Sequence, residues 1–272
     1  MKKYFAIILV IAFGLFNNMH AQASGGKKPM TQWWLGSSLA DSTRGYLFHI
    51  EGQYSYSKMS GPIEGEMQSG GLRSAIRINT FTNHIDYSID KMNLKIQMLR
   101  MQYTTESHRL IDYLDFDITR LLYAETGFIW ERDNTIFIKN RYSMYAGTGL
   151  NGLIAEKHYL KLLVAMGRIS PQYSIPVDHF DVVKVAYQAF YLRQHYSYVL
   201  DRRFTLLEDA YYFTNMNTAN RYMLGVNLNL NIGIVDPVSL VLGYSYKFDR
   251  EAELLGAIPK NTNQSIGLLV SL

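Results

Sequence analysis

Cysteine is absent from the 272-residue chain. That excludes a disulfide framework, a thiolate metal site, a catalytic thiol and a lipid-anchored N-terminal cysteine. Proline is scarce, with 6 residues, and charged residues make up only 18% against 48% hydrophobic. A chain of this composition is too apolar to stay disordered, and its length allows one large domain or two small ones. The formal charge of +4 is too weak a bias to point to nucleic acid. Beyond residue 16 no apolar run is long enough for a membrane helix. What the chain has in excess is tyrosine, 21 residues, beside 13 phenylalanines and 20 glycines.

The N-terminus reads as an address. Lys2 and Lys3 precede the apolar run Phe5 to Phe16 (FAIILVIAFGLF), and Ala21-Gln22-Ala23 follows. A charged start, a short greasy centre and an A-x-A end make up a secretory signal peptide, cleaved here after Ala23. The run is about half of the roughly 20 residues that a membrane-crossing helix needs. Residues 1–23 are thus expected to be a signal peptide, 24–43 a polar periplasmic lead-in and 44–272 the folded part. Losing Lys2 and Lys3 with no acid lowers the net charge by two.

A cell-envelope protein without a spanning helix is either soluble or a closed barrel, because hydrocarbon leaves no other way to satisfy every backbone N–H and C=O. Periodicity decides between them. Along Arg221 to Gly233, Tyr222, Leu224, Val226, Leu228, Leu230 and Ile232 share one parity, and Met223, Gly225, Asn227, Asn229, Asn231 and Gly233 the other. Val238 to Asp249 and Ser265 to Leu272 repeat this alternation, which is that of strands. A soluble sandwich alternates too, but it spreads aromatics through its apolar face. Here Tyr244, Tyr246 and Phe248 close one apolar face, and Tyr54 and Tyr56 close that of Tyr46, Phe48 and Ile50. Rings gathered at the ends of apolar faces are what two membrane interfaces select.

Connection lengths carry a second argument. Strands are expected near 44–57, 68–81, 84–103, 108–118, 121–132, 134–151, 157–168, 185–200, 202–214, 220–234, 237–250 and 262–272. Every second connection is tight: Thr82-Asn83, Thr119-Arg120, Ala155 to Lys157, Asp201-Arg202 and Asp236-Pro237. Longer ones, Met59 to Glu66, Ile169 to Asp181 and Arg250 to Asn261, fall between them. Short turns at one rim and long loops at the other define an all-β, transmembrane, antiparallel up-and-down β-barrel of about twelve strands in the outer membrane. Leu206-Leu207-Glu208-Asp209 and Leu110-Ile111-Asp112 break parity and predict a bulge or an interfacial position. The third strand, with Asp86, Asp90, Lys91 and Lys95, fits the pattern least.

From about Asn134 onward the order of residues resembles the salt-induced outer-membrane protein family, the YdiY-like group of unknown function. Arg141 is followed by Gly147-Thr148-Gly149, and Leu160-Lys161-Leu162 leads to Gly167-Arg168. Arg193 opens a run through Tyr196-Ser197-Tyr198 to Leu200-Asp201-Arg202-Arg203-Phe204, and the closing stretch Asn261 to Leu272 also matches. Gly52 to Gly61 is similar to the family's opening strand and loop. The resemblance implies an outer-membrane barrel and no established chemistry. Two positions depart from the pattern: the chain ends in Leu272 rather than a phenylalanine, and the first loop lacks a Gly-Asn pair.

Parity also nominates the lumen. With Ile136, Ile138, Tyr142 and Met144 facing lipid, Lys139, Arg141, Ser143 and Tyr145 face inward. Lys161, Arg193, His195, Glu51, Glu125, Glu131, Asp115 and Asp117 are expected inside on the same reasoning. Such charges either line a constriction for small polar solutes or brace a narrow barrel as paired ions. Asp178, His179 and Asp181 in the longest outer loop could activate water or hold a cation, against the plainer reading of a solvated Asp- and Pro-containing turn. No G-x-S-x-G elbow, H-E-x-x-H pair, phosphate-cradling loop or dinucleotide fingerprint occurs, and Asp115-x-Asp117 is alternation toward one lumen. We therefore expect no enzyme, no cofactor and no metal, with membrane lipid as the chief partner and small polar solutes as candidate cargo. A surface hydrolase or a partner-binding barrel, each acting through the outer loops, are the alternatives.

Overall fold

The computed structural model describes residues 46–59, 63–96, 101–119, 121–155, 157–174, 186–201, 203–218, 221–256 and 259–271. The expected signal peptide, the lead-in and the Asp178–His179–Asp181 loop lie outside these. Twelve strands run in chain order: β1 (Tyr46–Met59), β2 (Ile63–Ile78), β3 (Phe81–Ile96), β4 (Met101–Asp117), β5 (Leu122–Asp133) and β6 (Ile138–Ala155). β7 (His158–Tyr173), β8 (Tyr187–Val199), β9 (Phe204–Asn215), β10 (Tyr222–Val235), β11 (Val238–Asp249) and β12 (Lys260–Ser271) complete them. Each pairs antiparallel with its sequence neighbours, and β1 closes on β12, so the sheet has no edge. No helix of the described residues is long and apolar enough to cross a membrane.

The alternation sorts the side chains as read. Leu242, Ile266, Leu268 and Val270 stand exposed on the outside, Leu268 at 51%, with Phe48, Ile76, Ile85, Met144 and Val164 around the same wall. On the opposite face, Asn229, Gly243 and Ser265 lie side by side across β10, β11 and β12. The apolar face therefore points away from the axis, the reverse of a soluble barrel.

Two local expectations are corrected and a third is narrowed to the interfacial alternative. The turn between β2 and β3 is Asn79-Thr80 rather than Thr82-Asn83, because Asn79 takes the left-handed conformation (φ 54°) that asparagine tolerates best among non-glycines. Thr82 is then an inward, buried strand residue. Leu206 to Asp209 and Leu110 to Asp112 carry no bulge; pairing runs through them in continuous register. Asp209 turns inward to Arg193 at 3.2 Å, while the outward Glu208 accepts a hydrogen bond from Gln194 at 3.1 Å. Asp112 likewise accepts from Asn83 at 2.8 Å. Finally, Ile136 and Ile138 are buried rather than lipid-facing, and Lys139 is exposed rather than inward. The register slips between Ile138 and Asn140, just after a short 3-10 turn (Asn134–Ile136) that ends at Phe137 with φ 60°. One extra residue there reverses parity below the slip.

Candidate functional site

The closed sheet of the described residues encloses a lumen, and its two sides differ. On β5 to β8 most inward positions are buried. Tyr123, Tyr145, Tyr191, Phe213, Leu163 and Ile129 pack together there, with Tyr191 stacked on Phe213 at 4.1 Å between ring centroids. Glycines make room for the rings. A Cβ on Gly149 would lie 2.4 Å from the Tyr123 ring and 2.2 Å from the Leu162 carbonyl oxygen, and Tyr123 donates its hydroxyl to that same oxygen. Gly127 is covered by Tyr145 in the same way.

Ion pairs span this packed side. Lys161 of β7 reaches Asp115 of β4 at 2.5 Å and Glu125 of β5 at 3.4 Å, with its ammonium 4.2 Å from the Tyr123 ring centroid. Glu125 also faces Arg193 of β8 at 3.7 Å and accepts the Tyr145 hydroxyl at 2.8 Å. Arg193 and His195 converge on Asp209. Of the sequence-nominated residues, Glu125, Lys161, Arg193 and His195 therefore belong to one network. Glu51 sits apart on β1, held by His49 at 3.1 Å and Arg73 at 3.3 Å.

A second network closes the rim of the long connections. Arg141, fully buried at 0% exposure, joins Glu131 and Asp249 at 2.7 Å each, and Glu251 lies 3.8 Å away. β6 and β11 are not neighbours in the sheet, so Arg141–Asp249 is a strut across the barrel. Lys247 of β11 makes another, to Glu131 and Asp133 of β5 at 3.6 and 3.7 Å. The long β11–β12 connection begins with a short helix, α1 (Arg250–Leu254), which folds inward. Asp249 caps it by accepting from the Glu251 and Ala252 amides, while its other oxygen takes Arg141. Glu251, at 1% exposure, receives Arg221 at 2.5 Å and the Tyr173 hydroxyl at 3.2 Å, and Ala252 packs with Ile136 and Ile138. Sequence reasoning missed this plug. The available signal was Asp249 followed by Glu251 and Glu253, a capping acid before an acidic first turn.

At the opposite rim the inward residues are buried on most walls, among them His49, Ala75, His84, Lys161, Val241 and Leu269. Toward β10 to β12 and β1 to β3, around mid-height, the inward polar side chains stay half exposed, as do Arg109 and Ile111 of β4 and Leu207, Asp209 and Tyr211 of β9. Asp115 and Asp117 are each occupied by cations, Lys161 and Arg77. Among the described residues no group of three or more His, Asp or Glu could hold a metal ion.

The family model described as "Protein of unknown function, DUF481" matches residues 64–272. No curated protein matches the sequence. Among solved structures, the NanC porin aligns at 10% identity over 83% of this chain and 100% of its own, with a TM-score of 0.49. The translocator domain of the autotransporter NalP from Neisseria meningitidis aligns at 13% identity over 88% and 92%, with a TM-score of 0.45. An outer-membrane channel from Pseudomonas putida F1 aligns at 10% over 84% and 95%, with a TM-score of 0.46. The fold stands on the chain's own strand pairing rather than on these likenesses.

Proposed function

We propose that this chain, which belongs to the DUF481 family of proteins of unknown function, is a braced structural barrel of the outer membrane without catalytic activity. A closed sheet with Leu268, Met144 and Val164 on its outside and ion pairs on its inside is suited to hydrocarbon. Signal-peptide cleavage and export belong to the same proposal. The observation that carries the structural role is the pair of struts across the lumen, Arg141–Asp249 and Lys247–Glu131. Charges arranged to conduct an ion must be available to it, and these are spent on each other. The narrower resemblance to salt-induced outer-membrane proteins fits a barrel whose task is to persist in the envelope.

A second reading, weak conduction of small polar solutes, is favoured by the half-exposed side toward β10 to β12 and β1 to β3. Planar-bilayer recording separates the two. The braced barrel gives negligible conductance, and Arg141→Ala lowers its unfolding temperature more than it alters current. A steady, solute-dependent current from the intact protein would replace the structural role with the pore. Hydrolysis of a surface substrate abolished by Asp178→Asn or His179→Ala would overturn both.

A further inference from the structure

We propose that the unfilled side of the lumen is a binding cleft for an uncharged, polyhydroxylated ligand, a saccharide-like chain. The cleft wall is built from Gln53, Asn227, Asn229, Asn231, Ser245 and Ser265, all inward by parity and all half exposed. Their convergence is geometric. A Cβ placed on Gly243 would meet Ser265 Oγ at 2.6 Å and Asn229 Oδ1 at 3.1 Å, so two polar groups lean over that glycine from the strands on either side. At Gly71 the space is open, with nothing nearer to such a Cβ than the Tyr87 carbonyl oxygen at 3.7 Å.

Two features select the ligand's chemistry. Among the described residues, the amides of Gln53, Asn227, Asn229 and Asn231 make no side-chain hydrogen bond, whereas nearby Asn263 accepts one from Ser57 at 3.3 Å. Each free amide offers two donors and an acceptor, which is the complement of a hydroxyl that both gives and takes. The bordering cations, meanwhile, are already committed. Arg73, whose side chain is 40% exposed, is held by Asp86 at 3.0 Å and Glu51 at 3.3 Å, and Lys247 by Glu131 and Asp133. Asp90, with Ser107 donating at 3.5 Å, stands at the upper edge. An anion would have to break an ion pair to gain a partner; a neutral polyol does not.

The test uses the full chain in lipid nanodiscs, free of sugar-headed detergent, titrated with maltotriose and followed by saturation-transfer NMR. Saturable binding is expected, unchanged between low and high salt because no ionic contact is made. Gly71→Trp fills the cleft and Asn229→Leu removes its donors and acceptor at similar volume; each is expected to weaken binding about tenfold. The gel shift between unheated and boiled samples verifies that each variant is folded. No saturable maltotriose binding, equal binding by both folded variants, or a salt-sensitive preference for an acidic trisaccharide or a cation would each overturn the proposal. None of these outcomes depends on conductance, so the cleft and the braced barrel fail separately.

Discussion

Arg141 shows how a single side chain is specified by its surroundings. It is fully buried and faces Glu131, Asp249 and Glu251. Removing Arg141 leaves the buried Asp249 without its cation, while Glu131 keeps Lys247 and Glu251 keeps Arg221, and Arg141→Ala is expected to cost about 3 kcal/mol. Thermal unfolding followed by loss of the unheated gel band measures it. Gly149 is the steric counterpart. Gly149→Val would drive a side chain into the Tyr123 ring and the Leu162 carbonyl, and we expect no folded band at all, whereas Gly71→Ala meets open space and folds normally. This gives physical content to the Arg141, Gly147, Gly149 spacing noted in the sequence: the arginine is a strut and Gly149 is a socket for a tyrosine. The tyrosine excess has the same explanation in part. Tyr54 and Tyr244 lie outside, on the apolar wall, but Tyr113, Tyr123, Tyr145, Tyr159, Tyr187 and Tyr191 are buried and fill the lumen. Counting rings does not separate these uses, because a tyrosine suits an interface and a polar interior equally well.

At the scale of elements, regular strands were legible and their exceptions were not. β10 and β11 follow the alternation with one wholly apolar parity, β12 does so from Ile266 onward, and the boundaries of all three fall within two residues of expectation. β3 was the least strand-like stretch because Asp86 and Asp90 interrupt it, yet both point inward, one to Arg73 and one toward Ser107. A carboxylate in a strand is uninformative until the cation on the neighbouring strand is known. The slip that exposes Lys139 is invisible for a similar reason, since a bulge depends on two strands and not on one. The α1 helix is tied at its N-terminus by Asp249, which both caps it and receives Arg141. Asp249→Ala is expected to free the β11–β12 connection, so that limited proteolysis of intact proteoliposomes cuts between residues 250 and 260. Asp249→Asn keeps the capping oxygen and should remain protected for longer.

For the whole molecule, closure is the decisive property. Each strand satisfies its backbone only through two neighbours, and β1–β12 pairing completes the ring. The folded barrel is therefore expected to resist unheated detergent and to migrate differently after boiling, while a protein that fractionates with the soluble periplasm and shows no shift would contradict the membrane assignment. Parity and turn spacing, both local and periodic, were enough for the sequence alone to determine the class of fold, a strand number of about twelve and which face is apolar and outward; Arg141, Lys161, Glu125, Arg193 and His195 are read inward on that basis. Which cation meets which carboxylate, that α1 folds into the mouth, and that one side of the lumen is packed while the other keeps its amides free were decided only by the tertiary structure. Those outcomes depend on distances between strands far apart in the chain, such as β6 and β11, and a periodic pattern along one strand carries no information about what stands across the axis from it.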